Sequence, residues 1–147
     1  RIVGRGPQEQ ELKRLADTLD IAAHVDFVGA VPHSQVPTAL RRLDVFVALS
    51  REESFGVAVI EASACGLPVV VSDAGGLPEV VEQGVTGAVV PVDDVLATAT
   101  QLRSLVASAE LRRTWGGAGR ARVIERYEWS ACVDRMMDVL QHPSSLR

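Results

Sequence analysis

Residues 45–72 read VFVALSREESFGVAVIEASACGLPVVVS. Two short apolar runs, VFVA (45–48) and PVVVS (68–72), flank a helical segment, VAVIEASAC, that Gly66 and Pro68 bring to an end. A run of valines without alternation is the pattern of a strand covered on both faces, as in a parallel sheet. Strand, helix and strand in that order make a βαβ unit, and this one decides the fold. It also poses a problem of charge. From Ser54 to Ser72 the one charged side chain is Glu61, and Glu53 precedes it by eight positions. A carboxylate in a buried apolar helix is expected to have a partner or a task, because its desolvation is otherwise expensive.

The same grammar extends in both directions. RIV (1–3), VDFVG (25–29) and GAVVP (87–91) read as further short strands. Between strands, GPQEQELKRLADTL carries Pro7 in its first turn and Leu12, Leu15, Ala16 and Leu19 at helical spacing. SQVPTALRRL and LPEVVEQG, closed by Gly84, read as shorter helices, and helices alone are expected after the last strand, over about 94–108, 110–126 and 129–141. Strand and helix alternate, which predicts an α/β class with a Rossmann-like, doubly wound parallel sheet and C-terminal helices. Residues 1–141 are expected to form one domain, with a tail over 142–147. Ligands of such sheets bind at the carboxyl ends of the strands. The loops GRGPQ (4–8), LSREESFG (49–56) and SDAGG (72–76) should therefore share one edge.

Composition narrows the function. The 147 residues are 47% hydrophobic and 23% charged, as in a globular protein, and the net charge of −4 offers no footprint for nucleic acid. No apolar run is long enough to cross a membrane, and two cysteines are too few for a disulfide framework, which favours a cytoplasmic setting. Cys65 is expected to be a small buried hydrophobe, and Trp115, Tyr127 and Trp129 to anchor helix packing.

Of the motifs, GRGPQE has two glycines after a strand, but Glu9 stands where a dinucleotide fingerprint needs a third, so it reads as a turn. SREESFGVAVIEASACG is far more specific. Gly56 permits close approach of a ligand, and the helix starting there offers unsatisfied N–H groups and a positive dipole end to phosphate. Eight residues along an ideal helix give a rise of roughly 12 Å and a rotation of about 80°. That is longer than the carboxylate separation of a glycoside hydrolase. It suits an extended ligand with an anionic middle, such as a nucleotide sugar, whose hydroxyl pairs carboxylates accept well.

The run ESFGVAVIEASACGLPVVVSDAGGLPEVV (53–81) resembles the signature of retaining glycosyltransferases of the GT-B architecture, the group 1 family. It has that family's E-x7-E pair, its E-A-x-A-C-G-x-P-V-V run and its G-G-x-P-E turn, and the likeness continues from VGRGP through VDFVGAV, LDVFVALS and GVTGAVVP to RYEWS. One departure is Leu49, where the family usually has proline. The resemblance implies that Glu61 holds the ribose hydroxyls and that Glu53 contacts the donor sugar. It implies further that Ser54, Phe55, Gly56 and Val57 lie against the diphosphate and sugar, that Val31 and His33 flank the base, and that Gly75 and Gly76 sit near the sugar end. The expected reaction is transfer of a hexose from a nucleotide-diphosphate sugar with retained configuration, without a metal or a cofactor, since no D-x-D sequence occurs.

The same resemblance places an Arg and a Lys that grip the phosphates, a first strand and an N-terminal acceptor-binding domain upstream of Arg1. That domain is the expected partner of this chain, which alone is expected to be catalytically silent and to be capable of self-association. Peripheral membrane association of the full-length enzyme fits the same reading. Two rivals stand beside it: an epimerase or other GT-B enzyme, and a non-catalytic Rossmann-like nucleotide-binding module. Glu61 also has a bland reading as half of an ion pair, His33 as a surface turn residue, and Gly75–Gly76 as a tight turn.

Overall fold

A computed structural model describes residues 1–141; the predicted tail, 142–147, lies outside the described residues. Among the described residues there are five strands, β1 (Ile2–Val3), β2 (Phe27–Gly29), β3 (Phe46–Ala48), β4 (Val69–Ser72) and β5 (Gly87–Val90). The helices are α1 (Glu9–Thr18), α2 (Val36–Leu40), α3 (Val57–Ala64), α4 (Leu77–Val80), α5 (Val95–Ala107), α6 (Ala109–Tyr127) and α7 (Trp129–Gln141). The class is α/β, with every strand pair parallel and the C-terminal third helical. Pairing falls into two sheets, β1–β2 and β3–β4–β5. The chain correspondingly divides into two compact units, Arg1–Thr38 and Ala39–Arg147.

In the N-terminal unit Ile2 pairs with Phe27 and Val3 with Gly29. The helix between these strands starts at Glu9, two residues later than the sequence suggests, so Pro7 precedes it in the turn. Glu9 bonds Lys13 at 2.7 Å one turn on, and this pairing holds the Glu9 carboxyl below its ordinary range.

In the C-terminal unit β4 is the central strand. Val69, Val70 and Val71 are fully buried, as the unalternating valine run predicts, and Phe46, Val47 and Ala48 pair with them in register. On the other side the same three meet Gly87, Ala88 and Val89. The edge strand β3 leaves Val47 41% exposed. Val70, Ala88, Val90, Leu105 and Trp115 form a core cluster against which Leu102 and Leu111 pack. The helix predicted over LPEVVEQG is a single turn. Val81 is already extended, Glu82 N–H donates to Thr86 Oγ1 at 2.9 Å, and Gln83 bridges to Gly87, so the backbone bonds of 82–84 go to the next strand.

Helix α6 is held against α3 by an absence of side chain. A Cβ on Gly116 would lie 2.0 Å from the carbonyl oxygen of Gly66, just past the end of α3, and one on Gly119 would touch Ser63 at 3.5 Å. Arg120 and Arg122 then reach the carbonyls that end α3 and α4, of Ala64, Val80 and Glu79. Positive charge at a helix C-terminus complements the helix dipole. The expected aromatic anchors divide. Trp115 is buried and Tyr127 half-buried, whereas Trp129 is 80% exposed, because no residue of α7 is buried in this chain. Cys65 is likewise half-buried rather than buried, since it lies past the last turn of α3.

Gly→Ala in a helix interior ordinarily stabilises by about 0.5–1 kcal/mol. That result is expected for Gly117→Ala, where an added Cβ meets nothing within 4 Å. Gly116→Ala is expected to destabilise instead, by about 1–3 kcal/mol, because α6 must back away from Gly66. Thermal unfolding of the two variants side by side checks the opposite signs.

Candidate functional site: the loops after β3 and β4

The loops 49–56 and 72–76 follow neighbouring parallel strands and so share one edge of the sheet. The third predicted loop, 4–8, follows β1 in the N-terminal unit, where it lines a cavity of about 240 Å³ with Arg5, Leu12 and Phe27. Val31 and His33 also belong to that unit. Val31 is half-buried after β2, and His33 is exposed and opens a 3-10 turn over His33–Gln35.

The two loops of the C-terminal unit touch through their backbones. Gly75 adopts φ +50°, and a Cβ there would stand 1.8 Å from the carbonyl oxygen of Glu53. A Cβ on Gly76 would stand 2.6 Å from the carbonyl oxygen of Ser54, and Gly76 N–H donates to Glu53 O at 3.2 Å. Only glycine fits at either position. The structure therefore brings Glu53, Ser54, Gly75 and Gly76 together. One root of the assembly is buried: Ser72, 1% exposed, donates its hydroxyl to Ser50 O at 2.5 Å. Asp73 accepts from Val92 N–H at 2.8 Å, and Arg51 pairs with Asp93 at the exposed rim, with Nε 3.0 Å from each carboxylate oxygen.

Glu53 is half-buried, and its carboxylate turns back on its own loop. Oε1 accepts from Phe55 N–H at 3.3 Å and from Gly56 N–H at 3.2 Å. Gly56 takes the left-handed conformation, φ +86°, and starts α3. Its carbonyl accepts from Val59 and Ile60 N–H. Of the leading amides, those of Val57 and Ala58 remain, as helix geometry requires, for a partner outside the helix. Phe55, 48% exposed, stacks edge-on against Tyr127 at 5.9 Å, which ties this loop to the end of α6. That contact gives Tyr127 a place beside the site that the sequence did not suggest.

Glu61 departs from its expected setting. It is half-buried rather than buried, although it does have a partner, as expected of a carboxylate in this helix. The reason lies in how α3 packs. Val59, Ala62 and Ser63 face the core, while Val57, 59% exposed, and Ala58 share the opposite face with Glu61 at i, i+3 and i+4 spacing. The ideal-helix separation of the two glutamates does not apply either. Helix covers only Val57 to Glu61, and the rest of the spacing is loop. The structure thus presents a helix face with the Val57 and Ala58 amides in its first turn and the half-buried Glu61 one turn on, preceded in the loop by a second carboxylate fixed by backbone donors.

Comparison with known proteins identifies the family of the chain. Residues 1–122 match the family of glycosyl transferases group 1. Over 146 residues the chain is 36% identical to a protein of Mycolicibacterium smegmatis named GDP-mannose-dependent alpha-(1-6)-phosphatidylinositol monomannoside mannosyltransferase, covering 95% of this chain and 38% of that one. Sucrose-phosphate synthase from Thermosynechococcus elongatus superposes with a TM-score of 0.85 at 31% identity, over 99% of this chain and 38% of the other. HepE of Anabaena in complex with UDP and glucose superposes at 0.83 with 25% identity, over 95% and 39%. The chain thus spans well under half the length of these relatives. It belongs to the group 1 glycosyltransferases, with the Rossmann-like fold of one half of their GT-B architecture.

Proposed function

We propose that this chain is the donor-binding half of a retaining hexosyltransferase that works without a metal, and that its donor is GDP-mannose. The observation that carries the reading is the open face of α3, where the Val57 and Ala58 amides and Glu61 line up beside a pinned Glu53. A diphosphate takes the amides and the positive dipole end. Glu61 accepts the ribose hydroxyl pair. Glu53, with Oε1 held by the loop, keeps Oε2 as the acceptor for a hydroxyl of the donor sugar. Ser54 and Phe55 line the sugar side, and Gly75 and Gly76 allow its approach.

In the proposed reaction an acceptor hydroxyl attacks the anomeric carbon from the side of the leaving group. The bond from that carbon to the phosphate oxygen breaks, and the hydroxyl proton passes to the leaving phosphate. The helix amides stabilise the charge that develops on the diphosphate. No side chain is assigned as nucleophile, and the acceptor is assigned to the N-terminal domain that the relatives' greater length allows for. GDP is preferred as the nucleotide because the mannosyltransferase relative is 36% identical, against 25% for the UDP-bound neighbour. Calorimetric titration of the full-length protein with GDP, UDP and ADP tests this. Tightest binding of GDP is expected, tightest binding of UDP moves the donor to a uridine sugar, and no binding of any of them removes the reading.

Two substitutions separate the carboxylates. Glu61→Gln keeps the shape and loses a charge-assisted contact, worth about 1.5–3 kcal/mol. Nucleotide affinity is expected to fall about tenfold or more in the full-length enzyme, and an unchanged dissociation constant removes the ribose assignment. Glu53→Gln retains an oxygen for the Phe55 and Gly56 amides, so the loop stays in place. It is expected to lower kcat by about tenfold to a hundredfold while leaving affinity for bare nucleoside diphosphate nearly unchanged. Equal weakening of nucleotide and nucleotide sugar in a binding assay contradicts that division of labour.

A further inference from the structure

We propose that Ser72 is a positioning residue for the sugar contact, acting through the loop that carries Glu53; the inference rests on the role proposed for Glu53 above. Ser72 ends a strand whose preceding three residues are fully buried valines, and it is itself 1% exposed. Packing alone is served there by alanine. The hydroxyl has a specific partner instead, the carbonyl of Ser50, 2.5 Å away on the loop after the neighbouring strand. Ser50 stands two residues past the end of β3 and three before Glu53.

The second hold on this segment comes from the same loop. Gly76 N–H donates to the Glu53 carbonyl, and Gly75 lies against that carbonyl with no room for a side chain. The stretch Ser50–Glu53 is thereby fixed at both ends by residues 72–76: at its root by the Ser72 hydroxyl, at its tip by two glycines. The remaining tie, Arg51–Asp93, joins side chains that are 78% and 61% exposed, and pairs of that kind hold weakly in water. The buried hydroxyl is the stronger constraint, because removing it leaves the Ser50 carbonyl without its donor. Ser72 is not among the groups assigned to the ligand. Its effect passes through the backbone to the Glu53 carboxylate, whose Oε1 is set by the next two amides of the same loop.

The test is a double-mutant cycle in the full-length enzyme with Ser72→Ala, Glu53→Gln and the two combined, reading kcat with nucleotide sugar and the dissociation constant of bare nucleoside diphosphate. Small displacements of a positioned group carry large rate effects, so Ser72→Ala is expected to lower kcat by about tenfold or more. Affinity for bare nucleoside diphosphate is expected to stay within about twofold, since the α3 amides and Glu61 are not held by this bond, a change under 0.5 kcal/mol. In the Glu53→Gln background Ser72→Ala is expected to cause no further loss, as residues acting in one chain are not additive. A loss in kcat that adds fully in that background, an equal loss of bare nucleotide affinity, or an unchanged kcat for Ser72→Ala where Glu53→Gln is impaired, overturns the role of Ser72 alone. An unchanged kcat for Glu53→Gln overturns the Glu53 reading itself and this inference with it.

Discussion

The carbonyl oxygen of Glu53 occupies the space that a side chain at residue 75 would need, 1.8 Å from where its Cβ would stand. The seating of the two site loops on each other depends on that contact. It requires glycine at 75, with φ +50°, and small bulk at 76, and in return it seats the loop after β3 directly on the loop after β4. The parallel pairing of Phe46–Ala48 with Val69–Val71 delivers both loops to one edge, so the contact forms where the strands end. With the backbone of Glu53 fixed, its carboxylate caps the Phe55 and Gly56 amides, and the left-handed Gly56 turns the chain into α3.

The far end of α3 is fixed by a second close approach. Eight residues make a helix too short to be stable by itself, so its direction comes from its surroundings. Gly116 and Gly119 let α6 lie against the end of α3, Arg120 caps the Ala64 carbonyl, and Phe55 meets Tyr127 at the other end of α6. A single 19-residue helix thus braces both the beginning and the end of the short one. Val57 and Ala58 remain exposed, with the half-buried Glu61 on the same face. A preorganised N-terminus of this kind does not have to reorganise when charge develops on the diphosphate proposed to bind there.

Much of this was written in the sequence, and the rest was hidden for definite reasons. Strand β4 is legible because its valines run without alternation, and the first two C-terminal helices open on Asp and Ser signals, with Asp94 accepting from Ala97 N–H and Ser108 from Leu111 N–H. The exposure of α3 was not legible. Its apolar residues lie all round, so Val57, 59% exposed, reads the same as Val59, 1% exposed, and Glu61 looked more deeply buried than it is. Trp129 misled in the same way, since an aromatic residue on an amphipathic helix does not reveal whether its apolar stripe is covered. The glycines of α6 carried a signal that propensity alone reads as weakness. Three glycines in one helix are unfavourable unless something must come close, and at Gly116 it does. Glu53 and Glu61 were found by spacing, but the loop geometry that pins one and leaves the other on an open face depends on contacts between distant positions.

Central to this account is the placement of a nucleoside diphosphate on the N-terminal turn of α3. Backbone amide chemical shifts of the labelled protein during titration with GDP report on that turn residue by residue. The largest changes are expected at Gly56, Val57 and Ala58, followed by Glu61, with the amides of β4 and of the α5–α6 junction nearly still. Shifts concentrated elsewhere, with Gly56–Ala58 unmoved at saturation, would contradict it.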